Sequence, residues 1–114
     1  MQVEDPVLRI MERTNDGVVV VVVQGEIDIA TVGALRARLA DACQGDATVD
    51  LRRVEFIDCM GLALLLEQHA HSTAHGWRLD FVQGPPAVRR VFELTGTLER
   101  LSFIEPAARR FAAV

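Results

Sequence analysis

Val54-Glu55-Phe56-Ile57-Asp58-Cys59-Met60-Gly61-Leu62-Ala63-Leu64-Leu65-Leu66 is the stretch on which the fold turns. It approaches a turn through mixed polar and apolar residues, sets a carboxylate beside a thiol, and continues as an almost unbroken apolar run. Asp58 is a good N-cap: its side-chain oxygen can accept from an amide two or three residues on, worth about 1 kcal/mol. Gly61 suits a first helical turn that comes close to another backbone or to a partner. From Met60 to about His75 the spacing predicts a helix. Leu62, Leu65, Leu66 and His69 fall on its packed side, with Glu67, Gln68 and His71 toward solvent.

Upstream of this stretch the chain reads as sheet. Residues 7 to 12 form an edge-like strand, and Asn15-Asp16-Gly17 supplies the left-handed residues of a tight hairpin. Val18 through Val23 is an uninterrupted β-branched run, the pattern of a central strand covered on both faces. Gln24-Gly25-Glu26-Ile27-Asp28 leaves it, and Thr31 is placed to N-cap a helix reaching Cys43, with Val32, Leu35, Leu39 and Ala42 inward. After Gly45-Asp46, Ala47 to Leu51 is a short strand, and Arg52-Arg53-Val54 leads into the opening stretch.

Downstream, Gly76 is a C-cap signal, and Trp77 to Val82 alternates as a strand with Trp77, Leu79 and Phe81 on one face. Pro86 opens a helix with Val88, Val91, Phe92 and Thr95 as its inward stripe, and Gly96 stops it. Leu101 to Ile104 forms a last short strand, and Pro106 starts a helix through Phe111. A hairpin followed by alternating helix and strand predicts an α/β fold. The expectation is a mixed sheet of four or five strands with helices chiefly on one face, and a single domain over residues 1–114.

Composition narrows the function classes. Half of the 114 residues are hydrophobic, a quarter are charged and the net charge is −4, which fits a compact folded chain and argues against direct nucleic-acid binding. All twelve basic residues are arginine, which together with abundant Ala and Val fits a GC-rich bacterial genome. Cys43 and Cys59 are too few for a disulfide framework and lack zinc-site spacing, so reduced thiols in a cytoplasmic protein are expected. The valine run is far shorter than the about twenty apolar residues of a membrane span, and no signal-like segment precedes it, so no membrane insertion is expected. His71 and His75 share a helical face, yet the sequence places no third ligand, so no metal is expected. No Walker-type glycine loop appears, so no cofactor is expected either. Arg89-Arg90 and Arg109-Arg110 read as solvated helix faces.

Four segments together carry a resemblance over nearly the whole chain. They are Gly25-Glu26-Ile27-Asp28, Val49-Asp50-Leu51, Phe56-Ile57-Asp58-Cys59-Met60-Gly61-Leu62, and Gly84-Pro85-Pro86-Ala87-Val88-Arg89-Arg90-Val91-Phe92-Glu93-Leu94-Thr95-Gly96. In their order and spacing the chain resembles a STAS domain of the bacterial anti-sigma-factor antagonist family. The resemblance implies a non-enzymatic, partner-switching regulator of transcription that binds an anti-sigma factor of the serine-kinase type and so releases a sigma factor. It implies partner contacts at Glu26, Asp28, Asp58, Cys59, Met60 and Gly61. It also implies an off-switch, phosphorylation of a Ser or Thr directly after the motif aspartate, and here that residue is Cys59.

A phosphate at a helix start is favoured by unpaired backbone amides and the helix dipole, while its charge of about −1.5 to −2 disturbs a partner's surface. A thiol does not accept phosphate by the serine-kinase route, so the usual switch is absent. Cys59 then has three readings: a near-isosteric filler in an unswitched binding module, an oxidisable thiol, or a bystander to regulation at Ser72, Thr73 or Thr31. Two alternatives stand beside the antagonist reading. One is a STAS scaffold or transport-accessory subunit, which would tolerate Cys59. The other is a thiol-based redox sensor or enzyme, whose nearest histidine lies about 15 Å along the helix.

Overall fold

The computed structural model describes residues 7–105. β1 (Leu8–Asn15) and β2 (Val18–Ile27) pair antiparallel across Asp16-Gly17, whose φ values of 54° and 79° are both left-handed, as a two-residue turn matching strand twist requires. The chain then alternates through α1 (Val32–Ala42), β3 (Ala47–Ile57), α2 (Cys59–Ala74), β4 (Leu79–Val82) and α3 (Pro86–Thr95). A 3₁₀ turn (Leu98–Arg100) and β5 (Phe103–Ile104) follow. The sheet order is β1-β2-β3-β4-β5, with every pairing after the hairpin parallel. The expected mixed α/β sheet is thus a five-stranded one. The carboxyl ends of β2 to β5 share one edge of it, which is where loops can build a site.

One face of the sheet holds the main core. Val21 and Val23, Val49 and Leu51, and Leu79 and Phe81 meet Leu35 and Leu39 of α1, Leu64 and Leu65 of α2, and Val88 and Phe92 of α3 in one continuous cluster. Fully burying side chains of this size contributes roughly 1.5–3 kcal/mol each. Val20, Val22 and Val82 form a smaller buried group on the opposite face, so the valine run is covered on both sides. Beside it lie the buried carboxylates of Asp50 and Asp80. Asp50 pairs with Arg52 at 2.8 Å; Asp80 pairs with Arg78 at 3.0 Å and accepts from Ser102 Oγ at 2.6 Å. Partners of this kind are what make buried carboxylates tolerable.

Several elements differ from the sequence expectation. β3 does not stop at Leu51 but runs to Ile57, because two bulges let it follow β2 while adding residues. Val22 to Gln24 on β2 faces Asp50 to Arg53 on β3, and Gly25 to Glu26 faces Val54 to Phe56. Trp77 precedes β4 and stacks on His75 with ring centroids 4.9 Å apart. On α2 the buried positions are Gly61, Leu62, Leu64, Leu65, Gln68 and Ser72; Leu66 and His69 are only half-buried. On α3 Thr95 is exposed, its hydroxyl donating to Val91 O at 2.7 Å. Pro86 and Gly96 mark the ends of α3 as the sequence indicates, Gly96 with φ 71°. The helix expected from Pro106 lies outside the described residues.

Candidate functional site

Ile27 and Ile57 are register partners at the ends of β2 and β3, so the loops that follow leave the sheet side by side. The Asp58 amide donates to Ile27 O at 3.1 Å, carrying the pairing one residue further. Asp58 then adopts an extended backbone and caps α2, Oδ1 accepting from the Met60 and Gly61 amides at 3.0 Å each. Its second oxygen reaches the other loop: Oδ2 accepts from the Ile29 amide at 3.2 Å. One carboxylate thus serves three amides on two segments far apart in sequence.

The β2–α1 loop holds itself in a similar way. Asp28 Oδ1 accepts from the Ala30 amide at 2.9 Å and the Thr31 amide at 3.2 Å, while the Asp28 carbonyl accepts from Thr31 and Val32. Thr31 stands at the N-cap position of α1 but its hydroxyl caps nothing there. It donates to Glu26 O at 2.8 Å and accepts from the Asp28 amide at 2.9 Å, fastening the loop to the end of β2. The hydroxyl oxygen thus accepts from the loop's Asp28 amide in place of a helix amide, a local bond that competes with capping.

The result is a hydrogen-bonded platform at the sheet edge. Ile29 is 72% exposed, Met60 is 46% exposed and Cys59 carries an exposed free thiol. Gly61 lies beneath them, buried. A Cβ there would sit 2.7 Å from Ile27 Cγ2, 2.8 Å from Ile27 O and 2.9 Å from Ile57 Cγ1, so its bare Cα is what lets α2 start directly on the strand ends. Behind the platform α1 and α2 are joined by Arg36, whose Nε and Nη2 each donate to Glu67 at 3.2 Å. The shared hydrogen bond raises the Arg36 pKa and lowers that of Glu67.

Of the six residues indicated by the sequence, Asp28, Asp58, Cys59 and Met60 come together here with Gly61 under them. Glu26 joins the loop through its carbonyl and lines a neighbouring cleft with Val7, Arg9, Gln24, Gly25 and Glu55. Ile29 is the member sequence reading missed. Its signal was an isolated apolar residue between Asp28 and Ala30, off the alternation of the strand before it.

The other hydroxyls named from sequence are differently placed. Thr31 and Ser72 are buried, at 7% and 2% exposure, whereas Thr73 is exposed and donates to His69 O at 3.0 Å. Cys43 is buried at the C-terminal end of α1, and burial, with a smaller contribution from Glu12, pushes its thiol up to about 11. His71 and His75 do meet, ring centroids 4.2 Å apart, with His75 Nδ1 2.9 Å from His71 O. Among the described residues no group of three or more His, Cys, Asp or Glu side chains gathers as metal ligands. No helix among them is long and apolar enough to cross a membrane.

Known proteins share this fold. Residues 10–102 match the family described as Mlab, STAS domain. The chain is 30% identical to an anti-sigma factor antagonist from Mycobacterium paratuberculosis, over 93% of this chain and 92% of that one, with a TM-score of 0.68. Two structures of SpoIIAA, each 24% identical over 93% of this chain, share the fold. The anti-sigma factor antagonist SpoIIAA in its unphosphorylated form is covered over 92% at a TM-score of 0.71. The Bacillus cell fate determinant SpoIIAA in its phosphorylated form is covered over 96% at 0.67.

Proposed function

The chain belongs to the STAS domain family, and from that membership we propose that it is an anti-sigma-factor antagonist, a non-enzymatic cytoplasmic protein that docks on an anti-sigma factor of the serine-kinase type and frees a sigma factor. The observation that carries the reading is the platform of Ile29, Cys59 and Met60, which Asp58 organises by bonding both of its segments. An exposed apolar surface on a hydrogen-bonded loop frame, rimmed by the carboxylates of Asp28 and Asp58, is suited to recognition of another protein. The 30% identity to a protein described as an anti-sigma factor antagonist supports the same reading.

In this reading binding is not switched at the position after Asp58. Cys59 is the first residue of α2 and presents a thiol where the family's acceptor hydroxyl would stand. Burial of Thr31 and Ser72 withholds two other hydroxyls from a kinase. The anti-sigma factor would then be controlled by the amount of this protein rather than by its phosphorylation.

The missing acceptor also favours a second reading, a STAS scaffold or transport-accessory subunit, which has no need of a phosphorylatable residue. A thiol-dependent enzyme would need a base beside Cys59, and the described histidines stand at positions 69, 71 and 75, well along α2. Affinity capture of the tagged chain from its native cell separates the first two. Recovery of a serine-kinase-type anti-sigma factor, abolished by Ile29→Asp or Met60→Asp, supports the antagonist. Recovery of a membrane transport complex in its place overturns it.

A further inference from the structure

Where β4 and β5 end, a cleft of about 420 Å³ opens beside α3 and the 3₁₀ turn. Leu98, Leu101 and Phe103 give it apolar walls, and its polar groups are Gln83, Arg89 and Glu105. Gln83 and Glu105 are the residues directly after β4 and β5, so the cleft sits at the carboxyl ends of parallel strands, where open α/β sheets place their ligands. None of the platform residues around Asp58 lines it.

Two donors here, one buried and one exposed, can take a further acceptor. Gln83 Oε1 accepts from the Gly84 amide at 3.0 Å, which fixes which end of the side-chain amide is nitrogen. That Nε2 is shielded from solvent and bonds to nothing; among the described residues it is the one buried side-chain polar atom in that condition. Folded proteins rarely leave such a donor unmet. Arg89 donates through Nε to Glu93 Oε2 at 2.9 Å, which orients the guanidinium and leaves its outer nitrogens for another acceptor.

We propose that this cleft binds a small monocarboxylate with a short apolar chain. The carboxylate meets the outer nitrogens of Arg89 and, after a small rotation of the half-buried Gln83 side chain, its Nε2. The apolar chain lies on Leu98, Leu101 and Phe103. Exposed Glu105 opposes negative charge in the cleft in proportion to its size, which disfavours phosphates and other polyanions more than a monocarboxylate paired with Arg89. The volume suits a ligand of this size, being within the usual range of small-molecule sites.

Titration of octanoate into the ¹⁵N-labelled chain tests this. The expected result is a saturable shift centred on the Gln83, Arg89 and Phe103 amides, weakened about ten-fold by Arg89→Met and by Gln83→Met, and further by Gln83→Glu. Gln83→Glu keeps the acceptor for the Gly84 amide, so its spectrum away from the cleft stays that of the wild type and its loss reads binding rather than unfolding. Octanol and inorganic phosphate should each bind at least about ten-fold more weakly than octanoate. The proposal is overturned by the absence of a saturable shift up to about 10 mM octanoate, by affinity unchanged in all three variants, or by phosphate binding as tightly as octanoate.

Discussion

Asp58 Oδ2 accepts a hydrogen bond from the Ile29 amide at 3.2 Å, joining residues 29 apart in sequence, while Oδ1 of the same carboxylate holds the start of α2. The two roles are separable by substitution. Asparagine retains one acceptor oxygen and caps helices about as well as aspartate, but its amide nitrogen cannot accept from Ile29. Asp58→Asn should leave Met60 and Gly61 protected from hydrogen exchange while the Ile29 amide exchanges faster. Asp58→Ala should lose the cap as well, costing about 1–2 kcal/mol in urea unfolding. An Ile29 amide equally protected in Asp58→Asn would show that the loop is held without this bond.

Gly61→Ala opposes two effects on one residue. Alanine favours a helix interior over glycine by about 1 kcal/mol, yet the new methyl group would lie under 3 Å from Ile27 and Ile57 at the strand ends. Overpacking of this kind typically costs about 1–3 kcal/mol, and two of the three close atoms belong to well-buried side chains that have no room to yield. Net destabilisation is therefore expected from chemical denaturation. A more stable variant would mean that α2 can lift from the sheet freely.

Cys59→Ser should convert the chain into a kinase substrate. With the cognate anti-sigma kinase and ATP the wild type takes no label and the variant does, while stability changes by no more than about 0.5 kcal/mol because the site is exposed. Label on the wild type to the same extent would place the regulated residue elsewhere, with exposed Thr73 the first to examine.

The two thiols should differ sharply in reactivity. Iodoacetamide at pH 8 is expected to alkylate exposed Cys59 in the folded chain and to reach Cys43 only on unfolding, as intact-mass analysis would register. Burial holds the Cys43 thiol neutral up to about 11 from an ordinary value of 9.0. Its folded pKa is raised, so the unfolded chain deprotonates first and stability falls as pH climbs from about 9 toward 11. Cys43→Ala should remove that part of the alkaline loss. Equal native alkylation of both thiols would contradict the burial.

Glu67 supplies the acid-side counterpart. Its hydrogen bond from Arg36 lowers the carboxyl pKa, so the pair's contribution is present above the ordinary carboxylate value and is lost as pH falls through the lowered one. Both side chains are about half exposed, so the effect is small. Glu67→Gln should be slightly less stable than wild type at neutral pH, with the difference vanishing in acid. A difference that persists below the carboxylate range would mean that Glu67 acts through packing instead.

Much of this architecture was written locally. Asn15-Asp16-Gly17 specified the hairpin because left-handed backbone is a property of those residues, and Asp58, Gly76, Pro86 and Gly96 bounded α2 and α3 for similarly local reasons. Alternation of helix and strand implied the parallel sheet, and the spacing around Asp58 marked the candidate site. What the sequence left open were the choices made between segments. The bulges of β3 depend on its register against β2, and the buried stripe of α2 takes in Gln68 in place of Leu66 because Gly61 presses that side of the helix onto the strand ends. The bond from Ile29 to Asp58 exists only where two loops meet. Turn chemistry and hydrophobic period act over a few residues and can be read along the chain. Register, helix rotation and loop-to-loop bonding arise from contacts across it, and the tertiary structure alone decided them.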